Sequence, residues 1–143
     1  MQKIFQYVSV AFAIGVLVTF SNCGGNDPSA SEVMTKKLIA HPWKLSIATV
    51  DGTDKTATYS GLTITFTNTG YTATNGLPIW PASGTWQFTG DKATSITRND
   101  GLELVITEAT DATLKLTFTW NKTTFETGRA GSVSGLHVFT FTK

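Results

Sequence analysis

Apolar residues recur along this chain in three successive rhythms, and each predicts a different kind of segment. Val8 to Phe20 is an almost unbroken apolar run. From about Ser31 to Ala40 the spacing is helical: Met34 and Leu38 stand four apart with Val33 beside them, and Lys36 and Lys37 fall on the wet side near the C-terminal end of the dipole. Ser29-Ala30-Ser31-Glu32 has the Ser-x-x-Glu form of a capping box, and Pro42 disfavours helical geometry at His41, so a short helix is bounded at both ends.

From Trp43 onward the period is two. Trp43, Leu45 and Ile47 alternate with Lys44, Ser46 and Ala48; Leu62, Ile64 and Phe66 alternate with threonines; Leu114, Leu116, Phe118 and Trp120 alternate with Lys115, Thr117 and Thr119. Such alternation describes antiparallel strands with one dry and one wet face. Weaker examples cover Tyr71 to Asn75, Thr85 to Thr89, Thr94 to Arg98 and Leu102 to Glu108. The last strand, Leu136 to Thr142, turns inward either Phe139 and Phe141 with His137, or Val138. Asp51-Gly52, Asn68-Thr69-Gly70, Asp91-Lys92, Asn99-Asp100-Gly101 and Thr110-Asp111-Ala112 separate the runs with residues suited to tight turns. The fold class is therefore all-β: an eight-stranded antiparallel meander that buries its apolar side by closing into a barrel or folding as a sandwich. Threonine, β-branched and polar, suits its outer face.

Charge changes little in this picture. Eleven Lys+Arg oppose ten Asp+Glu, which gives no electrostatic warrant for nucleic acid. The first apolar run is about 13 residues, short of the ~20 needed to span a bilayer, and reads as a signal segment with Lys3 as its only cationic residue. It ends in Phe20-Ser21-Asn22-Cys23, which resembles the lipobox of bacterial lipoproteins. Phe20 and Asn22 depart from the usual Leu and Gly or Ala, while Ser21 fits. This resemblance implies cleavage before Cys23, acylation of its sulfur and attachment to a lipid bilayer in the bacterial cell envelope. Cys23 has no partner thiol in the chain, and acylation would remove an exported protein's redox liability. Gly24, where a retention aspartate is common, leans towards the outer membrane. The expected division is a signal over 1–22, a lipidated N-terminus and Gly/Asn/Asp/Pro/Ser tether over 23–30, and a β domain over 31–143.

The β domain resembles the lipocalin-like lipoproteins of Gram-negative bacteria, small members of the calycin group. The resemblance rests on the short helix, Leu38-Ile39-Ala40-His41-Pro42-Trp43-Lys44-Leu45, Gly84-Thr85-Trp86 and the terminal Val138-Phe139-Thr140-Phe141. It implies a closed eight-stranded barrel, with Trp43 packed across one end, and a monomeric binding protein rather than an enzyme. His41 replaces the glycine of the family's Gly-x-Trp, and no arginine lies between Leu136 and Lys143 to cover that ring.

Candidate chemistry is sparse. The Pro-stiffened loop Asn75 to Gly84 carries Leu77, Ile79 and Trp80, for contact with a ligand or for packing over a barrel end. Asn121 to Gly135, with Phe125 and Arg129, is either a mobile lid at an open end or a disordered loop. Trp80, Trp120, Phe125 and Arg129 are the candidate ligand-binding residues, and Trp43 and Trp86 are assigned structural roles. His41 and His137 lack the three or four ligands a zinc site needs. Acidic turns at Asp51-Gly52-Thr53-Asp54 and Asp100-Gly101-Leu102-Glu103 fall short of the oxygens calcium demands. No catalytic set, metal or cofactor is expected. An eight-stranded barrel is either filled by side chains or holds one small ligand. The ligand-binding reading predicts a cavity above about 300 Å³ opening near Asn121 to Gly135. The alternative, a packed interaction or structural module, predicts a dry core and an apolar patch around Trp80.

Overall fold

The computed structural model describes residues 27–127 and 129–143; the expected leader, Cys23 and most of the tether lie outside them. Eleven strands are present: β1 (Trp43–Val50), β2 (Thr53–Asp54), β3 (Thr63–Phe66), β4 (Gly70–Thr74), β5 (Ser83–Phe88), β6 (Ser95–Arg98), β7 (Glu103–Ala109), β8 (Thr113–Trp120), β9 (Thr124–Glu126), β10 (Arg129–Ser132) and β11 (Gly135–Thr142). Eight of them run in chain order around one antiparallel sheet, β1-β3-β4-β5-β6-β7-β8-β11, and β11 returns to pair with β1. The eight strands thus form a closed barrel, in which each of them has a neighbour on both sides. The small β2 extends from β1, and β9 and β10 form a separate hairpin between β8 and β11 where sequence suggested a lid or a loose loop.

The helix, α1 (Ala30–Leu38), starts from the expected capping box. The Ser29 N–H donates to Glu32 Oε2 at 2.7 Å while the Glu32 N–H donates to Ser29 Oγ at 3.2 Å. Two bonds fasten it across one end of the barrel: Lys37 Nζ to the Ala109 carbonyl at 2.9 Å, and the buried Trp43 Nε1 to the Leu38 carbonyl at 2.8 Å. The His41 ring lies 4.2 Å from that of Trp43, tilted against it. The strand ends divide between this helix end and an opposite hairpin end. The latter is built from residues 51–62, 75–82, 99–102 and 121–134.

Inward-facing side chains follow the two-residue rhythm with one interruption. In β1 the pairing with β11 steps from Leu45 opposite Phe141 to Ile47 opposite Thr140, so Ser46 is an extra residue. A bulge of this kind reverses which side chains face the core. Ile47, expected inside, is 51% exposed, and Ala48, expected outside, is buried with Val50. On β11 the ambiguity resolves in favour of His137, Phe139 and Phe141, all buried. With Leu62, Ile64, Phe66, Tyr71, Leu104, Leu114, Leu116 and Phe118 they form one continuous core. Gly135 permits closure: its φ is +142°, and a Cβ there would lie 2.9 Å from the Val50 side chain.

Candidate functional site

The hairpin end is plugged from within. Residues 75–82 fold inward, so Ile79 and Trp80 are fully buried and stop the barrel mouth. Their fastener is Arg98, the last residue of β6, whose side chain has no solvent exposure. Its Nε and Nη2 form a two-pronged ion pair with the Asp100 carboxylate, and Nη1 donates to the Ile79 carbonyl at 2.9 Å. The guanidinium carbon lies 4.8 Å from the Trp80 ring centroid and 5.8 Å from that of Tyr71. Arginine suits this position because its planar fork satisfies a carboxylate and a carbonyl while its face lies on aromatic rings. Hydrogen bonding from Arg98 holds the Asp100 carboxyl below its ordinary pKa. Gly84 makes room alongside, since a Cβ there would sit 2.6 Å from Asn99 Oδ1 and 2.7 Å from Tyr71 Oη.

A second buried polar pair lies at the same end. Tyr59, in the 3-10 turn Thr56–Tyr59, places its hydroxyl 2.9 Å from His137 Nε2. His137 Nδ1 faces the Gly135 carbonyl at 3.1 Å; a carbonyl only accepts, so Nδ1 carries the proton and Nε2 accepts from Tyr59. Burial lowers the His137 pKa and pushes that of Tyr59 up to about 12, so both groups are neutral at physiological pH. The imidazole stacks on Phe118 with 5.1 Å between centroids. Its role is to fill the core while closing a chain of hydrogen bonds.

The apolar opening is at the other end. Between α1 and the rim formed by the β3–β4 turn and β5 runs a groove of about 580 Å³ whose accessible lining is mostly apolar. Ile39, Trp86 and Phe88 give the lining its large apolar side chains, and Glu32, Lys36 and Gln87 are among its polar ones. Alternation along β5 turns Trp86 and Phe88 inward here, and α1, tied to the barrel through Lys37, forms the facing wall. Trp86 is fixed by donating Nε1 to the Thr67 and Gly70 carbonyls at 3.1 and 3.0 Å, and its ring meets Phe88 edge-on at 5.1 Å. The volume falls within the ~300–1,000 Å³ typical of small-molecule sites.

Of the residues named from sequence, Trp80 and Trp120 come to the hairpin end. Trp80 lies inside the plug, and Trp120 lies half-buried at the rim, its indole N–H buried with no partner among the described residues. Phe125 projects from β9 and is 79% exposed; Arg129 belongs to β10, and its side chain lies outside the description. The apolar volume is not beside them. The recess of about 390 Å³ near Asn121 lies against the outer face at Val105, Thr117 and Leu136. Sequence reasoning passed over Arg98, Tyr59 and Ile39. Arg98 was signalled: it stands two residues after the inward Ile96 and therefore points into the barrel. Tyr59 carried no such signal, being in a turn outside any alternating run.

Among the described residues no three His, Cys, Asp or Glu side chains converge as a metal site, and no helix is long and apolar enough to cross a membrane. No curated protein matches the chain. The family described as "Lipocalin-like domain" matches residues 39–116, more than half of the 143.

Proposed function

The chain belongs to the lipocalin-like domain family, and from that premise we propose that it is a lipid-anchored binding protein of the bacterial envelope that carries a small apolar ligand in the groove beside α1. Lipocalin-like domains are in general binding proteins rather than enzymes. The groove itself carries the reading: its accessible lining is mostly apolar, with aromatic and aliphatic side chains and a few polar groups among them, the composition that suits an apolar ligand. The barrel interior, by contrast, carries one continuous cluster of buried core side chains. Anchoring through acylated Cys23 is supported by the lipobox-like Phe20-Ser21-Asn22-Cys23 and the lone thiol. Two acyl chains suffice for stable attachment.

Titration of residues 24–143 with dodecanol, followed by tryptophan emission, tests the site. A saturable change that is lost in Phe88→Asp is expected; a change of equal size in both proteins would overturn the assignment. Cys23→Ala is expected to move the full chain out of the membrane fraction, and unaltered fractionation would refute the anchor.

The continuous buried core also favours a second reading, a packed module that binds no small molecule. That reading expected an apolar patch around Trp80. Trp80 is instead 1% exposed, and Leu77, at 71%, is the loop's exposed apolar residue.

A further inference from the structure

We infer that the groove beside α1 is the docking site for one acyl chain of the protein's own Cys23, which holds the helix end of the barrel against the membrane surface. The inference rests on the anchoring reading above and gives the groove a particular occupant. Cys23 stands seven residues before the start of α1, and α1 is itself one wall of the groove, contributing Ser31, Glu32, Thr35 and Lys36. At ~3.3–3.6 Å per residue, eight residues from Cys23 to Ser31 reach at most about 26–29 Å, so the acylated residue cannot stray far from the opening. A tether of this length holds its end at an effective concentration of order mM, far above what a free lipid in water attains.

The groove's chemistry fits a hydrocarbon chain. Ile39, Trp86 and Phe88 offer apolar contact to such a chain, and the charged or amide groups of Glu32, Lys36 and Gln87, which also line the groove, suit the polar headgroup it carries. Each methylene that the groove buries contributes ~0.8 kcal/mol, offsetting part of what it leaves in the bilayer. The short tether makes docking intramolecular and spares it the cost of an encounter between separate molecules. Stable attachment needs two chains, so a sulfur-linked diacylglyceryl group with an N-acyl chain has one to spare. Docking that chain turns α1 and the groove mouth towards the lipid and the plugged hairpin end, with the exposed Phe125 and Leu77, away from it.

The test uses the full chain produced in cells supplied with a diazirine-bearing fatty acid, purified, reconstituted into phosphatidylcholine vesicles and irradiated. Intact mass first establishes whether Cys23 is acylated; a bare sulfur would overturn the anchoring reading and this inference with it. With acylation present, the expected product is a crosslink between the Cys23 lipopeptide and a peptide containing Ile39, Trp86 or Phe88, reduced at least tenfold in Phe88→Asp. A phospholipid adduct at those residues without the lipopeptide crosslink would overturn the choice of occupant while supporting the groove. No adduct at the groove on an acylated protein would overturn the docking itself. Circular dichroism of Phe88→Asp establishes that this variant is folded.

Discussion

Removing the carboxylate from the plug at the hairpin end should cost more than removing its cation. In Asp100→Asn the Arg98 guanidinium stays fully buried with its charge no longer neutralised, keeping one amide oxygen, the Ile79 carbonyl and the Trp80 and Tyr71 ring faces as partners. Breaking a fully buried pair costs about 3–5 kcal/mol, chiefly because an uncompensated charge is left behind. Asp100 is 38% exposed, so solvent already screens part of the attraction, and the expected loss is about 2–3 kcal/mol. In Arg98→Met the orphaned carboxylate turns to water and the apolar side chain fills the volume. The lost bond to the Ile79 carbonyl then costs about 1–2 kcal/mol. The double variant should cost little more than Arg98→Met alone, a coupling of about 1–3 kcal/mol. Urea unfolding of residues 24–143 measures this directly: with m of about 1–3 kcal/mol/M, a loss of 2–3 kcal/mol moves the midpoint by roughly 1–3 M. Trp80 emission should also shift to the red at low urea in Asp100→Asn, as the loop comes out of the mouth. If Asp100→Asn proves no more destabilising than Arg98→Met, the plug does not depend on neutralising a buried cation, and the argument fails.

Acid should weaken the fold in two stages. Burial lowers the pKa of His137, so the unfolded chain takes up that proton first, near 6.5; stability therefore falls as pH drops below about 6.5 and stops falling once the depressed native value is passed. His137→Gln should remove this stage, and an unchanged profile between pH 5 and 6.5 would contradict it. The second stage is the depressed Asp100, whose contribution is present above its ordinary value of 3.8 and lost as pH falls through the native one. At the alkaline side Tyr59, pushed up to about 12, makes stability fall as pH rises above 10, and burial raises Tyr71 as well; Tyr59→Phe should shrink that limb to the part Tyr71 contributes. The same substitution should cost about 1–3 kcal/mol at neutral pH by leaving His137 Nε2 unpartnered, as thermal or urea unfolding would show. The bulge has its own check in urea midpoints: Ile47→Thr should fall within about 0.5 kcal/mol of the parent, while Ala48→Leu should cost about 1–3 kcal/mol by overpacking. The reverse order would mean that β1 keeps the phase its sequence suggests.

The barrel was legible because its signals are local. Alternation at Leu62 to Phe66 and at Leu114 to Trp120, together with Asp- and Gly-bearing turns, marks strands and their order whatever the tertiary context. The capping box at Ser29 and Glu32 likewise announces α1 from four residues. What could not be read depends on pairing. One extra residue at Ser46 moves Ile47 outside, and nothing in Leu45-Ser46-Ile47-Ala48 distinguishes a bulge from a regular strand; the shift is fixed by β11 across the seam. The inward direction of Arg98 followed from its spacing to Ile96, but what a buried arginine does there is intelligible only once Asp100, Ile79 and Trp80 are seen around it. The groove was hidden for the same reason. Its walls come from α1, the β3–β4 turn and β5, and only the helix placement, set by Lys37 and Trp43, opens the space between them.

The central claim is that an apolar ligand enters beside α1 and not through the barrel mouth. Backbone amide shifts of isotope-labelled residues 24–143, recorded during titration with dodecanol, separate the two ends in one experiment. Saturating shifts grouped around Thr35 to Ile39 and Trp86 to Phe88, with Tyr59, Trp80 and Trp120 unmoved, are the predicted result; shifts centred on Trp80, Trp120 and Phe118 would contradict it.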